Sequence, residues 1–308
     1  MRYWCSQVTS FYPSEKTNNQ PTPMATAKKP SRKKAQRSIA LALTATPVIR
    51  EIRAASHVGF DRVVFEFDGP LPARRDVSFV PEIIADGSGL PVPIVGKALL
   101  SVSFSHATNH DDNGTVFTPE RITMGLPNVI QVVRSGDFEG VLSFGIGLVK
   151  RQPFNVFTLL NPSRVVIDVA VRYATIPTNV YFVDSLNFNI GQAPYIHAVV
   201  RPVIAPNVAA RSLDWLFAGP TQAELAGGLI FVNSDATGYS SVTISNQVAR
   251  VRLTGGAESH GSTLTIANEI VPLLKQFPSV RWVKIFDPAG QTETPTGQSD
   301  SIPGGLEP

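Results

Sequence analysis

The chain has 308 residues, 43% hydrophobic and 17% charged. This is a globular composition, and at about 150 residues per domain it is long enough for two domains. Its single cysteine, Cys5, excludes an intrachain disulfide and a cysteine-rich zinc site. The net charge of +3 is unevenly spread: residues 1–37 carry eight Lys/Arg against one acid, for +7, and the remainder is −4. The part with folding potential therefore has no compositional bias toward nucleic acid.

Residues 12–37 hold few apolar side chains and many Pro, Thr, Asn and Lys. Such a segment buries too little surface to offset its ordering entropy, and 1–46 is expected to be a disordered basic tail. The basic cluster at 28–37 precedes the apolar run SIALALTATPVI, residues 38–49. That layout resembles a secretory signal, but Thr44, Thr46 and Pro47 interrupt the run and no cleavage site is clear. A remnant export signal and a plain flexible tail stay open as readings. The run is shorter than the roughly 20 residues that span a bilayer, so no transmembrane span is expected. Cys5 lacks the preceding apolar run of a lipoprotein signal.

From residue 48 the hydrophobic period is two. In RVVFEF (62–67) Val63, Phe65 and Phe67 share one face, Val64 and Glu66 the other, and Asp68-Gly69-Pro70 stops the strand. Further strands are expected at 76–84, 98–105, 128–136, 140–148, 154–160 and 163–171. Turn material such as DGSGLPVP (86–93), NHDDNGT (109–115) and KRQPF (150–154) lies between them. Many short β-branched strands without a long helical period argue for an antiparallel β-sandwich or barrel. DRVVFEF (61–67) is nearly repeated as SRVVIDV (163–169). The copies read as two core strands, with pairing to each other plausible and same-face ion pairs expected within each copy, Arg62 with Glu66 and Arg164 with Asp168.

Three stretches in this order, HVGFDRVVFEFDG (57–69), SGDFEGVLSFGIGL (135–148) and NPSRVVIDV (161–169), resemble the AMIN-like domain of actinobacterial and related envelope proteins. That domain is a relative of the β-sandwich module that targets cell-wall amidases. The resemblance implies a β-sandwich over 47–173, with PVIREIRAA (47–55) as its first strand.

After Thr175-Ile176-Pro177-Thr178 the pattern becomes mixed, and a hinge is expected near 172–178. NVYFVD (179–184) reads as a strand. VAARSLDWLFAG (208–219) reads as a helix ended by Gly219-Pro220, and Thr221 with Glu224 as a capping box. SVTISNQVARVRL (241–253) reads as a hairpin turning at Asn246-Gln247. STLTIANEIVPLLKQF (262–277) is the clearest helix, with Ser262 as its cap and Pro272 as an expected kink. SVRWVKIFD (279–287) is the closing strand.

This order, with GPTQAE (219–224), the hairpin, QFPSVRWVKI (276–285) and DSIPGGLEP (300–308), resembles the GerMN domain. That family is named from spore germination and is similar to ring-building folds. The resemblance implies a small α+β domain at 178–290, followed by a C-terminal tail at 291–308, and a capacity for self-association.

Chemistry-bearing motifs are few. HATNHDD (106–112) has two imidazoles four apart, which share a face on a helix and bind metal there. Here Asn, Asp and Gly mark a polar turn, so no metal site is expected. Asp137 and Glu139 in GDFEG (136–140) share a strand face without the cleft a glycosidase pair requires. GIGLVK (145–150) lacks the Gly-Lys-Ser/Thr of a phosphate loop. His57, His197 and His260 stand alone, and Trp215, Trp282, Phe277 and Phe286 sit at core spacing.

The expectation is an α+β protein of two domains, a β-sandwich and a GerMN-type domain, with no catalytic, cofactor-binding or metal residues and no cofactor. The resemblance implies a non-catalytic, extracytoplasmic cell-envelope binding or assembly protein, with peptidoglycan or another envelope polymer as partner and self-association as a second property. No nucleic acid partner is expected for the folded part. The alternative is a hydrolase acting on wall polymers.

Overall fold

The computed structural model describes residues 45–308; Cys5, the basic segment and the signal-like run up to residue 44 lie outside the described residues. Nine strands open the described chain: β1 (Val48–His57), β2 (Phe60–Asp68), β3 (Arg74–Val80), β4 (Ala98–Ser105), β5 (Arg121–Thr123), β6 (Val129–Phe138), β7 (Val141–Leu148), β8 (Phe154–Leu159) and β9 (Ser163–Ala170). They form a four-stranded sheet in the order β1-β2-β9-β8 and a five-stranded sheet in the order β3-β4-β7-β6-β5. One apolar cluster draws on both sheets, with Val63, Phe65 and Phe67 from β2 and Phe104 and Phe144 from β4 and β7. Phe65 lies 5.2 and 5.3 Å, centroid to centroid, from Phe104 and Phe144.

The two copies of the repeated motif pair with each other, antiparallel, as β2 and β9. The ion pairs expected within each copy are not the ones formed. Residues four apart on a strand are separated by roughly 13 Å along it. The charges instead meet across strands: Arg62 faces Asp168, and Glu66 is bridged by Arg53 of β1 at 2.9 Å. The sheets are also stitched by a carboxylate. Asp61 is fully buried, and its Oδ2 accepts from the backbone N–H of Asn128 and of Val129 at the start of β6.

The strand expected over 76–84 stops at Val80, because Pro81 has no N–H to continue the ladder. Residues 81–97 instead cross the outer face of the five-stranded sheet. They fit because β7 carries glycines there: a Cβ on Gly145 would stand 2.6 Å from the Ile83 side chain, and one on Gly147 would stand 2.0 Å from the Val95 carbonyl oxygen. The glycines of GIGLVK thus admit a crossing chain. The short strand β5 carried no pattern visible in the sequence.

The rest of the chain comprises β10 (Thr175–Asp184), α1 (Ser185–Asn189), β11 (Ile196–Ile204), α2 (Val208–Ala218), α3 (Gln222–Ala226), β12 (Leu229–Ile230), β13 (Ala236–Ser245), β14 (Val248–Gly255), α4 (Ile266–Lys275) and β15 (Trp282–Phe286). Two three-stranded sheets result, β11-β10-β12 and β13-β14-β15. The β14–β15 ladder is parallel, with α4 as its crossover; the other ladders between named strands are antiparallel. The element content is mostly antiparallel β with fewer helical residues, an α+β composition.

α2 and the Thr221–Glu224 capping box form where the sequence placed them. The β13–β14 hairpin turns at Asn246 and Gln247, both at positive φ. α4 is capped by Thr265 rather than Ser262, because Thr265 and Asn268 form the capping box. Of the hinge expected near 172–178, residues 175–178 are the first part of β10, with Pro177 opposite Pro202. β11 and α1 were not anticipated. Residues 291–308, read as a tail, fold back. The N–H of Ile285 donates to Ser301 O, Lys284 Nζ donates to Thr294 O, and Leu306 is buried.

A second apolar cluster spans α2, α4 and these sheets and also takes in Ile130 of β6 and Val149 just after β7. Polar contacts cross the same boundary: Thr123 Oγ1 donates to Ala218 O, and Lys97 Nζ lies 3.1 Å from Asp214 Oδ1. No helix among the described residues is long and apolar enough to cross a membrane.

Candidate binding site

Two of the singled-out motifs, HATNHDD and GDFEG, meet at one end of the nine strands. Asp137 ends near the 106–112 loop because β6 and β7 form a tight hairpin whose turn, Glu139-Gly140, has both residues at positive φ. Asp137 Oδ2 accepts from Asn109 N at 3.0 Å and lies 3.9 Å from His110 Nε2. Together with Val48 and Asp111, these loops line a recess of about 700 Å3.

Asp111 and Asp137 of the recess, and Asn109 behind it, are engaged in hydrogen bonds that close the loops. Asn109 is fully buried; its Oδ1 accepts from Thr118 N and Thr118 Oγ1, and its Nδ2 donates to Thr118 O. Asp111 Oδ1 accepts from the N–H groups of Asn113 and Thr115, each at 2.9 Å. The Thr115 N–H is the main cause that holds the Asp111 carboxyl below its ordinary range. Loop closure is thus the work of Asn109, Asp111 and Asp137. His106 sits exposed at positive φ on the turn leaving β4. Among the described residues no group of three His, Cys, Asp or Glu side chains is placed to hold a metal ion.

Phe138 and Glu139 at the hairpin tip also border a second recess, a groove of about 380 Å3 on the outer face of β4 and β7. Its floor is made by Ser101, Ser103 and Ser143, and Asp86 of the 81–97 crossing stands at its side. Sequence reasoning missed this groove. The signal was the alternation of SVSFS (101–105), in which every residue facing away from the core is a serine.

The remaining candidates are dispersed. His57 stacks on Phe60 at 4.9 Å, His197 Nε2 lies 3.4 Å from Asp184, and His260 Nε2 lies 2.7 Å from Asp235. Trp215 is buried and Phe277 packs against the second cluster. Trp282, expected in the core, is half-buried between Lys275 and Arg281, because the strand alternation turns Val283 and Ile285 inward.

Nine antiparallel strands with an open recess at one end make up a β-rich module. In agreement, residues 47–171 match the family model of the AMIN-like domain. No curated protein and no solved structure matches the chain.

Proposed function

We propose that this chain is a non-catalytic binding and assembly protein of the cell envelope. In this reading it has two domains, a β-sandwich at 47–173 and a GerMN-like α+β domain at 178–290, with 291–308 as its C-terminal segment. The first holds a cell-wall polymer, of which peptidoglycan is the foremost, and the second carries self-association. Its location is extracytoplasmic.

The observation that carries the reading is the match of 47–171 to the AMIN-like domain, a family of wall-associated binding modules. The recess supports it in part, since two of its four carboxylates, Asp111 and Asp137, serve as acceptors for loop N–H groups, whereas a general base must face the proton it takes. Co-sedimentation of the full chain with purified peptidoglycan sacculi tests it, with sedimentation velocity for self-association. Pelleting without release of soluble fragments is the expected result. Release of fragments overturns the non-catalytic part, and failure to pellet overturns the wall-binding part.

A further inference from the structure

We infer that the groove on β4 and β7 is the surface that meets the wall, and that it takes the uncharged sugar rings of the glycan rather than the stem peptide or an anionic polymer. This rests on the wall-binding reading above.

The outer face of the five-stranded sheet is only half covered. The 81–97 crossing lies over Gly145 and Gly147. Beside it runs a row across four strands, open toward β3 and closed over toward β6: Asp76 opposes Ser103, Ser103 opposes Ser143, and Ser143 opposes Gly136. Gly136 has no side chain to stand in the row, and the Asp86 carboxylate occupies that space, within 1.9 Å of where a Cβ would be.

The open half is polar but not self-satisfied. Ser101, Ser103 and Ser143 make no side-chain hydrogen bond among the described residues. Ser143 as a residue is 7% exposed, and its side chain lines the groove, where the hydroxyl offers a donor and two acceptor positions. At the open end stands Phe138, a phenyl ring 62% exposed at the tip of a hairpin, where a turn favours Asn or Gly beside it and Glu139 is found instead.

Hydroxyl donors and acceptors on a shallow floor, flanked by carboxylate acceptors and an aromatic plate, complement a pyranose ring. Such a ring offers hydroxyl and amide N–H donors at its edge and an apolar C–H face to stack on an aromatic. The groove is lined by two carboxylates, Asp86 and Glu139, and no cation. Phosphate-bearing polymers and the carboxylates of a stem peptide are repelled there. The groove and the end recess share Phe138 and Glu139, so a chain of sugars has room to continue past the ring.

Titration calorimetry of the full chain with an uncharged N-acetylglucosamine oligomer tests the assignment, alongside sacculus pelleting. Phe138→Ala removes the plate, and Ser103→Gln fills the floor. Thermal melting checks that each variant folds. The expected result is that the oligomer competes with sacculi and that each variant loses about tenfold in affinity for both, with its melting temperature kept. If wild type pellets with sacculi but both folded variants bind as well as it does, or free stem peptide or a poly(glycerol phosphate) competes where the oligomer does not, the groove assignment is overturned and wall binding stands. If wild type does not pellet, the wall-binding reading falls and this inference with it.

Discussion

Arg62 of β2 and Asp168 of β9 are directly opposed across their ladder and joined by two hydrogen bonds, Nε to Oδ1 at 2.7 Å and Nη2 to Oδ2 at 2.8 Å. The bidentate geometry favours the pair, and the Asp168 contact raises the Arg62 guanidinium above its ordinary range. Both side chains keep partial contact with water. A double-mutant cycle on Arg62→Ala and Asp168→Ala should give a coupling of about 0.5–1 kcal/mol. Phe65→Ala, on the opposite face of the same strand, should cost about 3–5 kcal/mol in chemical denaturation. A coupling larger than the phenylalanine loss would contradict the dominance of the apolar cluster over the ion pair.

Asp61 differs in kind. Its carboxylate is buried and serves two backbone N–H groups of the opposite sheet. Asp61→Ala strands both donors and should cost about 2–4 kcal/mol. Asp61→Asn keeps an acceptor in place and should cost clearly less. Burial already pushes the Asp61 carboxyl above its ordinary range, so losing the charge is not the main penalty. Equal losses for the two variants would contradict the account.

Gly147→Ala should destabilise more than Gly145→Ala. The added methyl meets the Val95 carbonyl oxygen in the first case and the Ile83 side chain in the second. A side chain moves more cheaply than a backbone, so about 1–3 kcal/mol is expected for Gly145→Ala and more for Gly147→Ala. Urea midpoints at unchanged m-value read the difference.

Glu269 of α4 and Glu224 of α3 make opposite predictions about pH. Burial raises the Glu269 carboxyl well above its ordinary range, against the partial relief of N–H bonds from Val232 and Val183. The folded protein then holds a proton the unfolded chain has lost, and stability falls as pH rises through the carboxylate range. For Glu224, burial also opposes the charge, but bonds from Arg201 and Thr221 outweigh it and the carboxyl lies below its ordinary range. Its contribution is present above that range and is lost as pH falls through its depressed folded value. As pH rises from about 4 to about 8, Glu269→Gln should gain melting temperature relative to wild type, whereas the Glu224→Gln deficit should stay level across that window and shrink only as pH falls below the ordinary carboxylate range. A level Glu269→Gln difference, or a Glu224→Gln deficit that persists unchanged at acid pH, contradicts its assignment.

Much of this fold was legible because alternation and punctuation act locally. Val63, Phe65 and Phe67 announced a core face, Asn246-Gln247 a turn, and Thr221 with Glu224 a helix start. What escaped was decided between distant segments. Nothing near Gly147 says that Val95 will lie against it, and nothing in 291–308 says that Ser301 will meet β15. The same holds for the candidate site. HATNHDD and GDFEG were each visible, but their meeting through Asp137 depends on how two hairpins close. Phe138 reads like any strand phenylalanine until the turn after it is known to leave the ring in water.

The β2–β9 pairing also dictates when the molecule can close. Its partners stand 106 residues apart at Arg62 and Asp168. Closing so long a loop costs little more than closing one half its length, about 0.6 kcal/mol, but pairings of this range slow folding. β9 lies between β2 and β8, so the β8–β9 hairpin has no sheet to join until β2 is reached. A chain emerging from the ribosome at about 5–20 residues per second would therefore show the unpaired edge of β2, with the Val63, Phe65 and Phe67 side chains beside it, for roughly 5–20 seconds. During that interval one of the two central strands of the finished sheet is exposed along an edge open to pairing with another chain.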